Sequence, residues 1–351
     1  MRRGADRARS TFFVRRVWLV TAFAFASCIP GRVGPGVSGL VQADPGDGAL
    51  RLTYLGTGGW IMEHGADMVL GAPLFSNPSF LGTGLGVVRA DTAAIDRGLA
   101  PYDIEHAAAV LVGHAHYDHL MDVPRTVLEH TPDARILGSR TVQNTLGLWS
   151  GVGHLVDRVE PHVADVESEG EWMRYGPRIR VLPLKSWHAP HFDGLTLYRG
   201  TADVPRRAEP TRAGEWLDGF TVAFLIDFLD DDGTIAHRIY YQDAVTQAPW
   251  GFAPVTLIAE RPVDVAILVP ATFDQVDWHP EAFVENLQPK RILLGHWEDF
   301  FIPVDEETRS VMLADMDHFE ARLRRVFDGE FWRPDLGTVF ELGRTRPEGD
   351  G

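Results

Sequence analysis

The sequence predicts a layered α/β domain with binding groups at the carboxyl ends of strands. Two observations carry that expectation. Four short runs rich in Val, Ile, Leu or Tyr each end within a few residues at a His or an Asp, and short β-branched or apolar runs of this kind read as strands. Between Leu50 and Gly343 there is no linker, low-complexity tract or internal repeat. A stretch of roughly 300 residues suits a two-sheet sandwich with helices outside. The pattern divides into two β-rich halves, Leu50 to about Gly200 and Phe220 to Leu342.

The first run, Ala107 to Val112, leads into Gly113-His114-Ala115-His116-Tyr117-Asp118-His119-Leu120. Side chains two apart on an extended chain share a side, so His114 and His116 can reach one ion from a strand end. If the chain then turns into a helix, Asp118 and His119 come round to a second ion. Imidazole and carboxylate suit zinc and its first-row neighbours. The second run, Ile179 to Leu184, meets Trp187-His188, with His191 three residues on. Either histidine can serve as the third imidazole, and His188 lies nearer the strand end. The second half opens with Thr221 to Asp227 and a turn at Asp230-Asp231-Asp232-Gly233. The third run, His237 to Tyr241, follows and meets Gln242-Asp243, and the fourth, Arg291 to Leu294, meets Gly295-His296. A late helix is expected over roughly Glu306 to Phe327. Its stripe is Met312, Met316, Phe319, Leu323 and Val326, with Arg322, Arg324 and Arg325 in the last turn and Gly329 placed to end it.

This order of donors resembles the metallo-β-lactamase-fold hydrolases, and the likeness covers most of the chain after residue 49. It implies a four-layer αββα sandwich of two mixed sheets packed face to face with helices outside. By position, His114, His116 and His188 would hold one divalent ion. Asp118, His119 and His296 would hold the other, with Asp243 bridging. Leu52-Thr-Tyr-Leu-Gly-Thr-Gly-Gly-Trp60, the Asp243 segment and Gly295-His-Trp-Glu-Asp-Phe300 are similar to the branch of ascorbate-phosphate lactonases and N-acyl-phosphatidylethanolamine phospholipase D. Members often carry Asp-Pro after the second strand, where the Asp supports a ligand. This chain reads Gly71-Ala72-Pro73 there. The Cys ligand of some β-lactamase classes has no counterpart, since Cys28 is the sole cysteine.

Residues 1–28 join six arginines to an apolar run from Val17 to Ala26 and a small-residue zone at Ala26-Ser27-Cys28. This is the layout of a secretory leader, too short to span a bilayer. Ala26-Ser27-Cys28 resembles a bacterial lipoprotein box with Cys28 as the acylated residue, while Ala24-Phe25-Ala26 reads as an ordinary secretory site. Residues 29–48 read as a Gly/Pro-rich tether, 49–344 as the hydrolase domain and 345–351 as a disordered tail. A bacterial periplasmic-side envelope location or secretion follows. The net charge is −16, and removing the leader's six Arg and one Asp leaves the rest near −21. Such a surface excludes nucleic acid as a bulk partner but not a small or lipid-like phosphodiester.

The expected activity is hydrolysis by water activated between two divalent ions, Zn2+ or else Mn2+ or Fe. Asp118 and Asp243 would orient that water, and His191 or His279 would protonate the leaving group. A phosphodiester is the expected substrate. A lactone, ester or amide is the alternative, and a non-catalytic metal-binding envelope lipoprotein is the reading from another class. Specificity is expected from Leu74 to Gly86 and from Leu195 to Gly219, the latter with Arg199, Arg206, Arg207 and Arg212.

Overall fold

In the computed structural model, residues 48–304 and 306–343 are described. The leader, all but the last residue of the tether, and the tail therefore lie outside the described residues. Among the described residues, two seven-stranded sheets form the molecule. The first runs β14 (Val339–Leu342), β1 (Leu50–Gly56), β2 (Gly59–His64), β3 (Asp67–Gly71), β4 (Ala109–Leu111), β5 (Arg135–Gly138) and β6 (Val156–Arg158). The second runs β13 (Glu330–Trp332), β12 (Arg291–Leu294), β11 (Val265–Leu268), β10 (Ile235–Tyr241), β9 (Val222–Leu229), β8 (Ile179–Lys185) and β7 (Met173–Arg174). Each is mixed. β14-β1-β2-β3 and β7-β8-β9-β10 are antiparallel meanders, whereas β3-β4-β5-β6 and β10-β11-β12-β13 are parallel.

Alternation along the strands explains the layering. Leu52, Tyr54, Ala109 and Leu111 point into one apolar cluster with Val181, Phe224, Ile226, Ile239, Ile267 and Leu293 of the opposite sheet. Their neighbours Leu55, Val110 and Ile136 point the other way, onto helix residues Ile95, Leu99, Val142 and Leu146. Side chains of period two on a sheet buried on both faces must do this. Helices Glu281–Leu287 and Met316–Val326 place Phe283, Phe319 and Leu323 on the outer face of the second sheet. The result is the four-layer αββα arrangement.

Two expectations change. The sheets do not follow the two halves of the sequence, because β7 and β8 join the second sheet and β14 returns to the first. The late helix is Met316–Val326, not Glu306 to Phe327. Asp315 caps it, accepting from the His318 amide at 2.9 Å, while Ser310 bridges to Glu298 and Val311 bonds Trp297. Met312 is thus outside the helix and 45 % exposed, and Val326 is 42 % exposed. Met316, Phe319 and Leu323 form the buried stripe.

Candidate metal centre

The four runs do end together. His114 and His116 follow β4, Asp118 and His119 lie on the short helix Tyr117–Leu120, His188 follows β8, Asp243 follows β10 and His296 follows β12. Parallel β4 and β12 point their carboxyl ends at one edge of the sandwich, which is where loops carry binding groups in open α/β sheets.

Three groups of side chains come within metal-sharing distance: His114, His116 and His188; His114, His119 and Asp243; Asp118, His119 and His296. His114 Nδ1 is 3.1 Å from Asp243 Oδ1, and His114 Nε2 is 3.1 Å from His116 Nδ1. Asp118 Oδ2 lies 3.3 Å from His119 Nε2 and 3.4 Å from His296 Nε2. Asp243 Oδ2 lies 3.5 Å from His119 Nδ1 and accepts from the Gly113 amide at 2.8 Å. His188 donates from Nδ1 to the Ala189 carbonyl at 2.7 Å, which leaves Nε2 free of that bond. Of the two histidines left open in this segment, His188 enters a group, and His191 stacks on it at 4.7 Å.

Electrostatics sort these groups by charge. Burial lowers His116 and His188 well below the usual histidine range, and neighbouring imidazoles push the same way. Both are therefore neutral, as ligands must be. Burial raises Asp118, but His119 and His296 outweigh it and hold the carboxyl well below its usual range. Asp243 is likewise raised by burial and brought lower by His119 and His114. His119 is lowered by burial and raised on balance by Asp118 and Asp243.

The donor set fits divalent ions. His116 Nε2, His119 Nδ1 and His296 Nδ1 are buried without a hydrogen-bond partner, a costly condition for a ring nitrogen unless something binds the cluster. Five imidazoles and two carboxylates with no thiol suit Zn2+, Mn2+ or Fe.

Backbone close to the cluster leaves no room for side chains. A Cβ at Gly58 would stand 2.8 Å from His119 Nδ1, and one at Gly113 would overlap the Asp243 carboxylate. The resemblance puts a supporting Asp at Ala72, before Pro73, and at the neighbouring Gly71 a Cβ would meet the Gly58 carbonyl and the Tyr241 hydroxyl, which donates to that carbonyl at 2.7 Å.

Several residues here were given no individual role by the sequence. Tyr54 and Glu298, both buried, meet beside His296, whose amide donates to Tyr54 Oη at 2.9 Å. Asp122 accepts from the amides of Phe75 and Ser76 at 2.7 and 3.0 Å and from the Ser76 hydroxyl at 2.6 Å. It thereby ties the Leu74 to Gly86 segment to the helix after His119. Asn77 donates to the Phe300 carbonyl at 3.1 Å, and Phe80 packs on Phe301 at 5.3 Å. Tyr198 stands 6.1 Å from His116 with a left-handed backbone, φ 53°. All are single residues whose neighbours are far away in the chain.

The remaining expected site residues divide. His191 accepts from the Leu197 amide on Nδ1 at 3.1 Å, so its proton sits on Nε2. Burial lowers it to about 4. His279 is different. It has no exposed surface, donates Nε2 to the Val269 carbonyl at 2.9 Å and packs between Phe283 and Phe319. That is a core placement, with Nε2 committed to a backbone carbonyl. In the second loop, Arg206 donates to the Glu215 carbonyl at 2.8 Å, and Arg199, Arg207 and Arg212 are exposed.

Comparison with solved structures gives the same architecture. Igni18, a novel metallo hydrolase from the hyperthermophilic archaeon Ignicoccus hospitalis KIN4/I, is similar at 15 % identity over 85 % of this chain and 100 % of that one, TM-score 0.52. The metallo-β-lactamase fold protein YhfI from Bacillus subtilis matches at 15 % identity over 84 % and 99 %, TM-score 0.46. The isothiocyanate hydrolase from Delia radicum gut bacteria matches at 14 % identity over 83 % and 98 %, TM-score 0.49. No family model matches the chain, and no curated protein matches it. The paired mixed sheets and the outer helices, with the likeness to Igni18, bear out the expected four-layer αββα sandwich.

Proposed function

We propose that this protein is a metal-dependent hydrolase that cleaves a small phosphodiester, with His114, His116 and His188 holding one divalent ion and Asp118, His119 and His296 holding a second. Asp243 would lie between them. The observation that carries this reading is the convergence of seven donors from four strand ends on one buried cluster. Structural zinc sites are closed by four ligands and mononuclear, so a donor set of this size favours catalysis over a storage or scaffolding role. When bound, the ions would supply Lewis acidity and lower the pKa of water.

The protein's own groups do the rest. Asp118, kept ionised by His119 and His296, accepts a hydrogen bond from the attacking water and orients it. Asp243 accepts from Gly113 N–H, so its carboxylate is held in place before substrate arrives. His191 presents Nε2–H beside His116 and His188. As a neutral imidazole it can donate a hydrogen bond to the leaving or non-bridging oxygen. The acidic surface opposes polyanionic substrates, which favours a small diester over nucleic acid.

Hydrolysis of bis(4-nitrophenyl) phosphate by metal-loaded protein and by Asp118→Ala tests this. Turnover in the wild type and a fall of about 10³-fold in the variant are expected. Two bound ions with no turnover of the diester would move the assignment to lactones, esters or amides.

We also propose export with acylation at Cys28, which the arginine-rich leader and the Ala26-Ser27-Cys28 zone support. Among the described residues no helix is long and apolar enough to cross a membrane. Cys28→Ser should move the protein from the membrane pellet to the soluble fraction. Unchanged sedimentation would refute the anchor.

A further inference from the structure

Among the seven donors, His296 alone has a left-handed backbone, φ 51°. A β-carbon makes that conformation unfavourable, and it persists only where its surroundings hold it. Its surroundings are specific. The His296 amide donates to Tyr54 Oη at 2.9 Å. Having accepted there, the hydroxyl gives its own proton to Glu298 Oε2. The other oxygen, Glu298 Oε1, accepts from the Thr57 amide, and Thr57 is left-handed too, φ 52°. Two strained residues therefore both donate backbone amides to one tyrosine–glutamate pair, and the Trp297 backbone also bonds Tyr54.

The pair is enclosed: Tyr54 is 0 %, Thr57 1 % and Glu298 5 % exposed. Water does not substitute readily for a buried charge-assisted bond. Tyr54 and Thr57 come from β1 and the turn after it, in the first sheet. His296 and Glu298 come from the loop after β12, in the second. The circuit thus spans the sandwich and closes directly beneath one candidate ligand. No hydrogen bond joins Tyr54 or Glu298 to His114, His116 or His188, whose own bonds run to Asp243, to one another and to the Ala189 carbonyl.

We propose that Tyr54 and Glu298 are positioning residues for the ion held by Asp118, His119 and His296, so that occupancy of this position is set separately from that of the ion on His114, His116 and His188. The inference rests on the ligand assignment made above. Removing the Tyr54 hydroxyl leaves the His296 amide without an acceptor and Glu298 without a donor. The imidazole then no longer faces Asp118 at a fixed angle. Outer partners of metal ligands typically change affinity by about 10–100-fold.

The test uses the purified protein with zinc as probe, counting ions by native mass spectrometry and titrating affinity against a competing chelator. Tyr54→Phe removes one oxygen and should leave the first zinc at wild-type affinity while weakening the second by about 10–100-fold. Glu298→Gln should act in the same direction and less strongly, because its amide keeps one oxygen for one of the two donors. His296→Ala is the reference and should lose the second zinc outright. If His296→Ala retains two tight ions, the ligand assignment itself is wrong. If His296→Ala loses one but Tyr54→Phe and Glu298→Gln bind both as wild type, the positioning role is overturned. Equal weakening of both ions, with a lowered melting temperature, would also overturn it, since that is the signature of a general structural role. Should Glu298→Gln fail to fold, the more conservative Tyr54→Phe decides alone.

Discussion

Asp122 has no exposed surface, yet three donors from Phe75 and Ser76 converge on its carboxyl. Burial raises it from 3.8 to about 6, against the pull of those donors. An acid whose folded value exceeds its unfolded one favours the native state most below the unfolded value and loses that contribution as pH rises through the folded value. The gap corresponds to at most about 3 kcal/mol. Urea unfolding of wild type and Asp122→Asn between about pH 4 and 7 should show the wild type losing stability relative to the variant as pH rises. Taking the difference between two proteins cancels the titration of the site histidines, which both contain. A pH-independent difference would mean that the three donors keep the carboxylate in its ordinary range. At this same scale the sequence was most explicit about His114, His116, Asp118 and His119, because four donors within six residues need no knowledge of the fold. It gave no role to Tyr54, Asp122 and Glu298, each defined by a partner 47 to 244 positions away, although Tyr54 and Glu298 lie in segments that carry the resemblance.

Among the elements, β9 and β10 carry a buried ion pair that fastens the outer helix Val255–Glu260 to the second sheet. Arg238 and Asp227 are both fully buried and meet through two bonds of 2.7 and 2.9 Å. Arg180 adds two bonds of 2.9 and 2.7 Å to the same carboxylate, and Arg238 Nη1 reaches the carbonyls of Leu257 and Arg261. Removing one partner of such a pair strands a buried charge. Asp227→Ala should therefore lower unfolding stability by about 3–5 kcal/mol, read from the urea midpoint at constant slope. A change under about 1 kcal/mol would mean that the carbonyls satisfy Arg238 unaided. Strands were legible because apolar runs such as Ile179 to Leu184 and Arg291 to Leu294 are short and bounded. The late helix was overextended for a related reason. Met312 keeps the apolar period, but Asp315 caps the helix and residues 310 and 311 pair with the segment after His296. Periodicity reports that apolar residues recur, not that the backbone between them is helical.

For the whole molecule, the candidate ligands tie the loops of one sheet to those of the other. His114, His116, Asp118 and His119 come from the first sheet, and His188, Asp243 and His296 from the second. Ions that bind only the native arrangement stabilise it by mass action, about 2.7 kcal/mol for each at a hundredfold excess over its dissociation constant. Chelation should lower the melting temperature of the wild type, and the shift should shrink in a His116→Ala/Asp118→Ala double variant. Identical melting with and without chelator in the wild type would argue that the cluster binds no ion in solution.

The sequence by itself determined the layered α/β class, the four strand-ending donors and the negative charge, because each is a property of neighbouring residues or of a sum. Only the tertiary structure decided that β8 and β14 cross between the halves, that His188 enters the cluster while His191 stacks on it, and that His279 packs between Phe283 and Phe319. These outcomes depend on which distant strands pair and which rings share one cavity. Side-chain packing across the two sheets settles such questions, and no local pattern of residues encodes that packing.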